Sequence, residues 1–340
     1  MSKQVSLLDS FLLPLWTTLM ELALTAAAGG LCIVALFVRK GKCRTTQSME
    51  GKTVIITGAN AGIGKETAKE LARRKARVIM ACRNLDKAKK AAQEIFEETR
   101  QPVIVKHLDL ASLKSVREFA ADIVRTEPRL DVLINNAGIV PGELRTRRER
   151  QESSRSLIAL RITQGVYFPY SADLLKRSSP SRVINVSSIL HHVGSVDHLE
   201  DKARGVHPVR TPVLVYSNTK LAQVLFTKAL AERLKGTGVT VNAVHPGNVK
   251  TEIANQSPGA FFFNLLLDLA GKSTSQGAQT SIFAAVHPRL AKETGNYYAD
   301  CKKGWVSRRA KDRRAAEKLF QISSKLVNLE GPDANNLGRG

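Results

Sequence analysis

Cysteine, aromatic residues and metal-ligand motifs are scarce in this chain of 340 residues. Its four cysteines follow neither a disulfide rhythm nor a metal-ligand spacing, which disfavours a disulfide-stabilised secreted protein and a zinc site. We therefore expect reduced thiols and no bound metal. Aromatic residues make up 5% of the chain and do not alternate with basic residues as they do on single-strand nucleic-acid surfaces.

Acidic residues are also few, since 30 Asp and Glu accompany 52 Lys and Arg and the net charge is +22. The excess lies in three runs, at 39–52, 145–161 and 302–318. Runs of this kind are typical of proteins that bind nucleic acids or anionic membrane surfaces. Because aromatic side chains do not accompany these runs, we expect no nucleic-acid partner and favour lipid headgroups.

One long apolar stretch lies near the N-terminus. Residues 22–38 are uncharged, and residues 11–20 extend the stretch upstream with Glu21 as the sole charge. A membrane-spanning helix needs about 20 apolar residues. Basic residues follow the stretch instead of preceding it, which favours an uncleaved anchor over the alternative, a cleaved signal peptide. The same asymmetry predicts a single-pass protein with everything after Arg39 in the cytosol.

From Gly51 onward, short β-branched runs alternate with helical patterns. The predicted strands are 53–57, 77–82, 103–108, 132–134, 183–186 and 239–244. The predicted helices between the first four strands are 65–74, 85–99 and 116–124. This alternation predicts an α/β fold with a doubly wound parallel sheet of the Rossmann type.

A glycine-rich turn over residues 57–64 joins the first predicted strand to the first helix. Glycines allow a tight turn and a close backbone approach, and the helix N-terminus offers free N–H groups to phosphates. A strand before the turn and a helix after it make this a dinucleotide site. We expect cofactor contacts from Gly58, Asn60, Gly62, Ile63 and Gly64.

The second predicted strand ends at Cys82 and is followed by Arg83. An NAD enzyme usually has Asp or Glu at this position to bind the ribose 2′-hydroxyl. A guanidinium pairs with a 2′-phosphate instead, so the sequence favours NADP(H). An arginine that merely begins an exposed helix is the alternative interpretation.

Tyr216 and Lys220 lie four residues apart and share one face if this segment is helical. An ammonium beside a phenol favours the phenolate and lowers the tyrosine pKa. Tyr216 can then donate a proton to a carbonyl oxygen in reduction, or take it back from an alcohol.

These motifs resemble those of the short-chain dehydrogenase/reductase family over about residues 51–331. They occur in the family's order: the glycine turn, Asp109, Asn135-Asn136-Ala137-Gly138, Ser188, Tyr216 with Lys220, and Pro246-Gly247. The chain is most similar to the membrane-anchored, NADP-preferring retinol dehydrogenases. The stretches that carry this similarity are 81–84, 185–188, 221–227, 244–247 and 298–303.

The resemblance implies a role for each of these residues. Ser188 would hold the substrate oxygen, with Ser187 as the alternative, and Lys220 would also bind the nicotinamide ribose. The remaining implied cofactor contacts are Asp109 near the adenine, Asn136 beside the adenosine ribose, Pro246 and Gly247 by the nicotinamide, and Thr251 near its carboxamide.

The implied function is NADPH-dependent interconversion of retinol and retinal, or of a similar lipophilic alcohol and carbonyl, on the endoplasmic reticulum membrane. A steroid or fatty carbonyl is an alternative substrate. Residues 260–269 form either a core helix or, as in the family, a lid over an apolar substrate. We expect an anchor with its basic flank at 1–48, a catalytic domain at 49–331 and a tail at 332–340.

The segment 142–172 departs from the family. Relatives carry an Asn-His-Leu-Gly-His-Phe helix between the fourth and fifth strands, and its Asn holds a water chain that returns protons to the lysine. That Asn should fall within 156–167, and this stretch contains no Asn. We therefore expect poor folding or impaired catalysis, and a non-catalytic relative is the alternative function. In many relatives this helix also forms the subunit interface, which makes a homodimer one further option.

Overall fold

The computed structural model describes residues 41–138, 171–197, 212–249 and 271–326. The apolar N-terminal stretch, most of the atypical segment, Thr251, residues 260–269 and the predicted tail lie outside these ranges. The domain boundaries predicted above therefore stay predictions.

One eight-stranded sheet forms the centre of the described fold, with the strand order β3-β2-β1-β4-β5-β6-β7-β8. Its strands are β1 (Thr53–Thr57), β2 (Arg77–Cys82), β3 (Ile104–His107), β4 (Val132–Asn135), β5 (Ser181–Val186), β6 (Val239–His245), β7 (Tyr297–Ala299) and β8 (Lys302–Lys303). Every neighbouring pair is parallel except β7 and β8, which form an antiparallel hairpin at the edge.

Helices cover both faces of the sheet. They are α1 (Gly62–Arg73), α2 (Leu85–Thr99), α3 (Leu113–Thr126), α4 (Pro212–Arg233), α5 (Thr274–Val286) and α6 (Arg313–Leu326), and residues 171–177 are also helical. The core on one face takes side chains from α1, α2 and α5, and the core on the other face takes them from α3, 171–177, α4 and α6. The predicted doubly wound α/β fold is confirmed.

The central strands are apolar throughout because both of their faces are covered. In β1 every residue is buried, with Ile55 in one core and Val54 and Ile56 in the other. This alternation follows from the two-residue period of a strand.

The bounds of β1, β2 and α2 are the predicted ones, and the other predicted elements differ by one to three residues at their ends. Helix α3 begins earlier than its apolar pattern because the Ser112 side chain accepts a hydrogen bond from the Ser115 amide and caps the helix. The hairpin of β7 and β8 was not predicted, since strands of three and two residues are too short to show a pattern.

None of the helices in the described ranges is long and apolar enough to cross a bilayer. The predicted membrane-spanning helix at 22–38 lies outside those ranges and stays a prediction.

Candidate active site

The glycine-rich turn is packed tightly against the loop that follows β4. Gly58 has a φ of +65°, and a Cβ added there would lie 3.0 Å from Ala137. A Cβ added at Gly64 would lie 2.5 Å from both the Asn136 amide nitrogen and the Gly58 carbonyl oxygen. Gly58 is therefore required by its backbone conformation, and Gly64 is required because a side chain would not fit.

Helix α1 begins at the end of this turn with its N-terminus open. Ala61 is the N-cap residue, and within the described ranges no side chain caps the helix and no acidic residue occupies its first turn. Free N–H groups and the positive end of the helix dipole form a ready site for phosphates. The turn thus fits the pyrophosphate of a dinucleotide.

Thr57 and Asn136 hold the glycine-rich turn in place through hydrogen bonds. The Thr57 hydroxyl accepts hydrogen bonds from the backbone amides of Asn136 (3.1 Å) and Ala137 (3.0 Å). The Asn136 side-chain amide donates to the carbonyls of Thr57 (3.0 Å) and Gly58 (3.2 Å). Sequence reasoning missed Thr57, since a buried threonine at a strand end is indistinguishable by pattern from any other strand residue.

Arg83 lies exposed at the junction of β2 and α2. The next residue, Asn84, caps α2 by accepting a hydrogen bond from the Lys87 amide at 2.9 Å. Lys65, the other basic residue near the turn, forms an ion pair with Glu94. Arg83 thus presents a guanidinium at the carboxyl end of β2, beside the start of a helix.

Asp109 lies near the carboxyl end of β3, two residues after the strand ends. Its carboxylate accepts a hydrogen bond from the Ala111 amide at 3.0 Å, and its own amide donates to the Ser115 hydroxyl at 3.0 Å. These bonds hold the loop that joins β3 to α3.

Tyr216 and Lys220 lie one turn apart on α4. The Lys220 ammonium is 5.4 Å from the centroid of the Tyr216 ring, and Lys220 is 4% exposed. This ammonium donates to the carbonyl of Val186 at 2.7 Å and to the Gln223 side chain at 3.2 Å. The bond to Val186 ties α4 to the carboxyl end of β5.

The two serines that follow β5 have different surroundings. The Ser187 hydroxyl donates to the backbone carbonyl of Lys220 at 2.9 Å, so Ser187 joins the strand end to α4. The Ser188 hydroxyl accepts a hydrogen bond from the Leu190 amide at 3.3 Å and leads into a 3₁₀ turn at Ile189–His192.

His191, in the 3₁₀ turn that follows Ser188, is fully buried. Its Nδ1 lies 2.7 Å from the Ser188 carbonyl oxygen, and burial lowers the pKa of His191 to about 4. The neutral imidazole therefore donates from Nδ1 and holds the Ser188 backbone. Its Nε2 has no hydrogen-bond partner among the described residues.

The turn at Pro246 and Gly247 is held by Lys272, a residue that sequence reasoning did not single out. Lys272 is 3% exposed, and its ammonium donates to the Pro246 carbonyl at 3.3 Å and pairs with Asp300. Its backbone amide also donates to the Asn248 carbonyl at 2.8 Å.

His245, at the end of β6, belongs to the same turn. Its Nδ1 accepts a hydrogen bond from the Gly247 amide at 3.3 Å. Burial first, and the positive charge of Lys272 second, lower the pKa of His245 to about 4. This imidazole is therefore neutral at physiological pH.

The structure thus brings together the carboxyl ends of β1, β2, β4, β5 and β6. The glycine-rich turn, a cradle for phosphates, lies at one side of this site, and the Tyr216–Lys220 pair lies at the other. This is the arrangement of an oxidoreductase that uses a nicotinamide dinucleotide. Residues 52–199 and 205–259 match the family model for short chain dehydrogenases, and the chain belongs to that family. The first match runs through the atypical segment without a break.

Curated relatives are similar over nearly the whole chain. Retinol dehydrogenase 12 of Bos taurus is 41% identical over 317 residues, which cover 90% of this chain and 97% of that protein. Retinol dehydrogenase 13 of Homo sapiens is 42% identical over 320 residues, which cover 91% and 95%.

Solved structures agree on the fold. A crystal structure of an uncharacterized protein from Mycobacterium paratuberculosis has a TM-score of 0.62 and 33% identity, and the match covers 83% of this chain and 95% of that one. A short chain dehydrogenase from Shigella flexneri, complexed with NADP, has a TM-score of 0.62 and 22% identity, with coverages of 76% and 100%.

Proposed function

We propose that this protein is an NADP(H)-dependent oxidoreductase that interconverts retinol and retinal, or a similar lipophilic alcohol and carbonyl, mainly in the reductive direction. Relatives named retinol dehydrogenase support the retinoid class of substrate. The observation that carries the proposal is the buried Lys220 ammonium beside the Tyr216 ring, next to the strand end that bears Ser188.

The cofactor supplies hydride at the nicotinamide when bound. Its pyrophosphate would be held by Gly58, Asn60, Gly62, Ile63 and Gly64, and its 2′-phosphate by Arg83. Asp109 and Asn136 would hold the adenosine. On the nicotinamide side the contacts are Tyr216, Lys220, Pro246, Gly247 and Thr251, of which Thr251 lies outside the described residues.

Tyr216 acts as the proton donor in reduction. The positive charge of Lys220 favours loss of the phenol proton, and Lys220 holds its position through the carbonyl of Val186. Ser188 hydrogen-bonds the substrate oxygen and orients it toward Tyr216. Ser187 is unsuited to that role because its hydroxyl is engaged by the Lys220 carbonyl.

The apolar stretch at 22–38 anchors the chain in the endoplasmic reticulum membrane as a single helix, with the catalytic domain in the cytosol. A retinoid partitions into a bilayer, so an anchored domain meets its substrate there.

The substrate class is tested by purifying the full chain in detergent and following NADPH oxidation. All-trans-retinal, a steroid ketone, a long-chain fatty aldehyde and a short water-soluble aldehyde are compared at equal concentration. The proposal predicts the highest kcat/KM for retinal. A steroid or fatty substrate that exceeds retinal by tenfold would redirect the proposal to that class, and no turnover with any of them would favour a non-catalytic relative.

Cofactor choice is tested by Arg83→Glu. Loss of the guanidinium removes a charge-assisted contact worth about 1.5–3 kcal/mol, and the carboxylate repels the 2′-phosphate. We expect KM for NADPH to rise at least tenfold while KM for NADH stays level or falls. The exposed Lys89→Glu, with the same charge change on α2, is the control. Equal effects of the two variants on NADPH would count against a contact by Arg83.

A further inference from the structure

The segment that follows the apolar stretch packs against the turn between β7 and β8. A Cβ added at Gly41 would lie 2.3 Å from the backbone carbonyl of Asp300, so the chain passes directly over this turn. The amide of Cys43 donates to the Gln279 side chain at 3.0 Å, and the Cys301 thiol donates to the Gln279 carbonyl at 3.4 Å. Residues 41–43 are thus fixed beside the hairpin.

This contact limits how far the hairpin can lie from the membrane. Val38 is the last apolar residue, and the three steps of chain from Val38 to Gly41 span at most about 10 Å. If residues 22–38 cross the bilayer, as proposed above, the β7–β8 turn lies within about one headgroup layer of the hydrocarbon core.

The surface beside that turn is strongly basic. We call it the basic face: Lys302, Lys303, Trp305, Arg308, Lys311, Arg313 and Arg314, all exposed. One acidic residue, Asp312, lies within positions 301–316, and its carboxylate accepts a hydrogen bond from the Ala315 amide at 3.0 Å. Among the described residues, none of these six basic side chains forms an ion pair.

The positive charges of the basic face lie close enough together to affect one another. The pKa of Lys228 on α4 is lowered by burial first and then by the positive charges of Lys303, Lys311 and Arg313. Those three side chains come from β8, a 3₁₀ turn and α6, so the fold brings them together. Like charges on one face that have no ion-pair partner among the described residues are complementary to an anionic layer.

Trp305 stands out within the basic face because it is 69% exposed. Its indole stacks on the His192 ring with centroids 4.6 Å apart. Tryptophan is typical of membrane–water interfaces, because its ring is largely apolar and its indole N–H donates a hydrogen bond. His192 is the last residue of the 3₁₀ turn that follows Ser188, and Ile189 in that turn and Val193 directly after it are exposed.

We propose that the basic face rests on the anionic headgroups of the membrane, with Trp305 inserted at the interface, so that the end of β5 that leads to Ser188 faces the bilayer. The inference rests on the proposed membrane anchor. It adds a fixed orientation of the domain, which an anchor alone does not impose. Each basic residue near the surface is expected to strengthen the contact by roughly fivefold at low salt.

Tryptophan fluorescence tests the orientation, because the chain has two tryptophans, Trp16 and Trp305. The Trp16→Phe variant leaves Trp305 as the reporter. The full chain is reconstituted into nanodiscs of phosphatidylcholine with about one-third phosphatidylserine, and phosphatidylcholine brominated high on its acyl chain serves as the quencher. We expect a blue-shifted emission and at least twofold quenching, both weakened in nanodiscs of phosphatidylcholine alone.

Charge reversal supplies the second arm. Lys302→Glu with Lys303→Glu should reduce the quenching at least twofold and raise KM for membrane-borne retinal several-fold, with KM for a water-soluble aldehyde unchanged. Lys235→Glu with Lys292→Glu is the matched control, since both lysines are exposed and lie before the amino ends of β6 and β7. Equal behaviour of the two double variants would overturn the inference.

Carbonate extraction distinguishes failure of the proposed orientation from failure of the proposed membrane anchor. A chain that resists extraction while Trp305 is not quenched would leave the anchor intact and overturn the orientation. A chain released by carbonate would overturn the anchor and the orientation together.

Discussion

At the scale of single residues, two buried lysines hold the ends of neighbouring strands. The Lys220 ammonium binds the carbonyl of Val186 at the end of β5, and the Lys272 ammonium binds the carbonyl of Pro246 just after β6. A buried ammonium without partners is costly, so both side chains fix the backbone that surrounds them. The sequence indicated the first lysine because Tyr216 stands four residues before it. The second pairs with Asp300, 28 residues away, and no local pattern points to it.

Lys272→Met tests whether this clamp positions the Pro246–Gly247 turn. The variant leaves the Pro246 carbonyl and the Asp300 carboxylate without their donor, which costs about 1–3 kcal/mol of stability. We expect KM for NADPH to rise about tenfold with a smaller change in kcat, since we propose that the turn contacts the nicotinamide. Lys235→Met, at an exposed position, is the control. A stability loss with unchanged KM would assign Lys272 a structural role alone.

The lowered pKa of His191 predicts how the free energy of unfolding depends on pH. Its pKa in the fold is about 4 and its usual value is 6.5, so between these limits the unfolded chain binds a proton that the folded chain excludes. The stabilisation is complete above pH 6.5 and is lost as the pH falls toward 4. A shift of this size corresponds to about 3 kcal/mol.

His191→Gln isolates that contribution, because glutamine can still donate to the Ser188 carbonyl and does not titrate. Urea unfolding in detergent at pH 7 and pH 4.5 should show a smaller acid loss in the variant, and the lowered pKa values of His245, His192 and His287 contribute to the remainder. His107→Gln, at an exposed histidine, is the control. An acid loss identical to that of the unmodified chain would contradict the prediction.

At the scale of elements, the sequence predicted strands β1 to β6 and helices α1 to α3. It did not predict α6, although Ala316, Leu319 and Phe320 on one side of that helix pack in the core. It missed α5, whose buried face contains Gly277, Thr280 and Ser281 and so carries little hydrophobic contrast. The hairpin of β7 and β8 was missed as well, because pairing with β6 defines β7 more than composition does. Contacts distant in sequence therefore account for most of what could not be predicted.

The atypical segment 142–172 ends where the chain rejoins the core. Ala172, Leu174 and Leu175 are buried with α3 and α4 side chains. We expect that replacing residues 142–170 with a helix carrying the family's Asn-containing pattern will raise both stability and turnover. Each large apolar side chain gained by the core contributes about 2 kcal/mol.

Retinal reduction with NADPH and urea unfolding check this prediction. A second replacement, with Ala in place of the inserted Asn, separates packing from the proton-returning water chain: it should recover stability and leave turnover low. Equal turnover of the unmodified chain and the first replacement would contradict the expected impairment.

At the scale of the whole molecule, one edge of the sheet carries the phosphate cradle, the Tyr–Lys pair and the clamped Pro246–Gly247 turn. The basic face adjoins the same region through the stacking of Trp305 on His192. In the proposed arrangement the basic face would lie on the bilayer, with the catalytic residues above it. Family membership is shown by the family match, whereas this arrangement rests on the proposed anchor and on the basic face.

The most direct test of the account is the effect of Tyr216→Phe on kcat/KM for retinal with NADPH, with the dissociation constant of NADPH measured in parallel. General acid catalysis contributes roughly a hundredfold or more, so we predict at least that loss with NADPH binding changed less than about threefold. Tyr298→Phe, which removes a hydroxyl from the opposite core, should keep near-normal activity. A Tyr216→Phe enzyme that retains a third or more of the original kcat/KM would contradict the account.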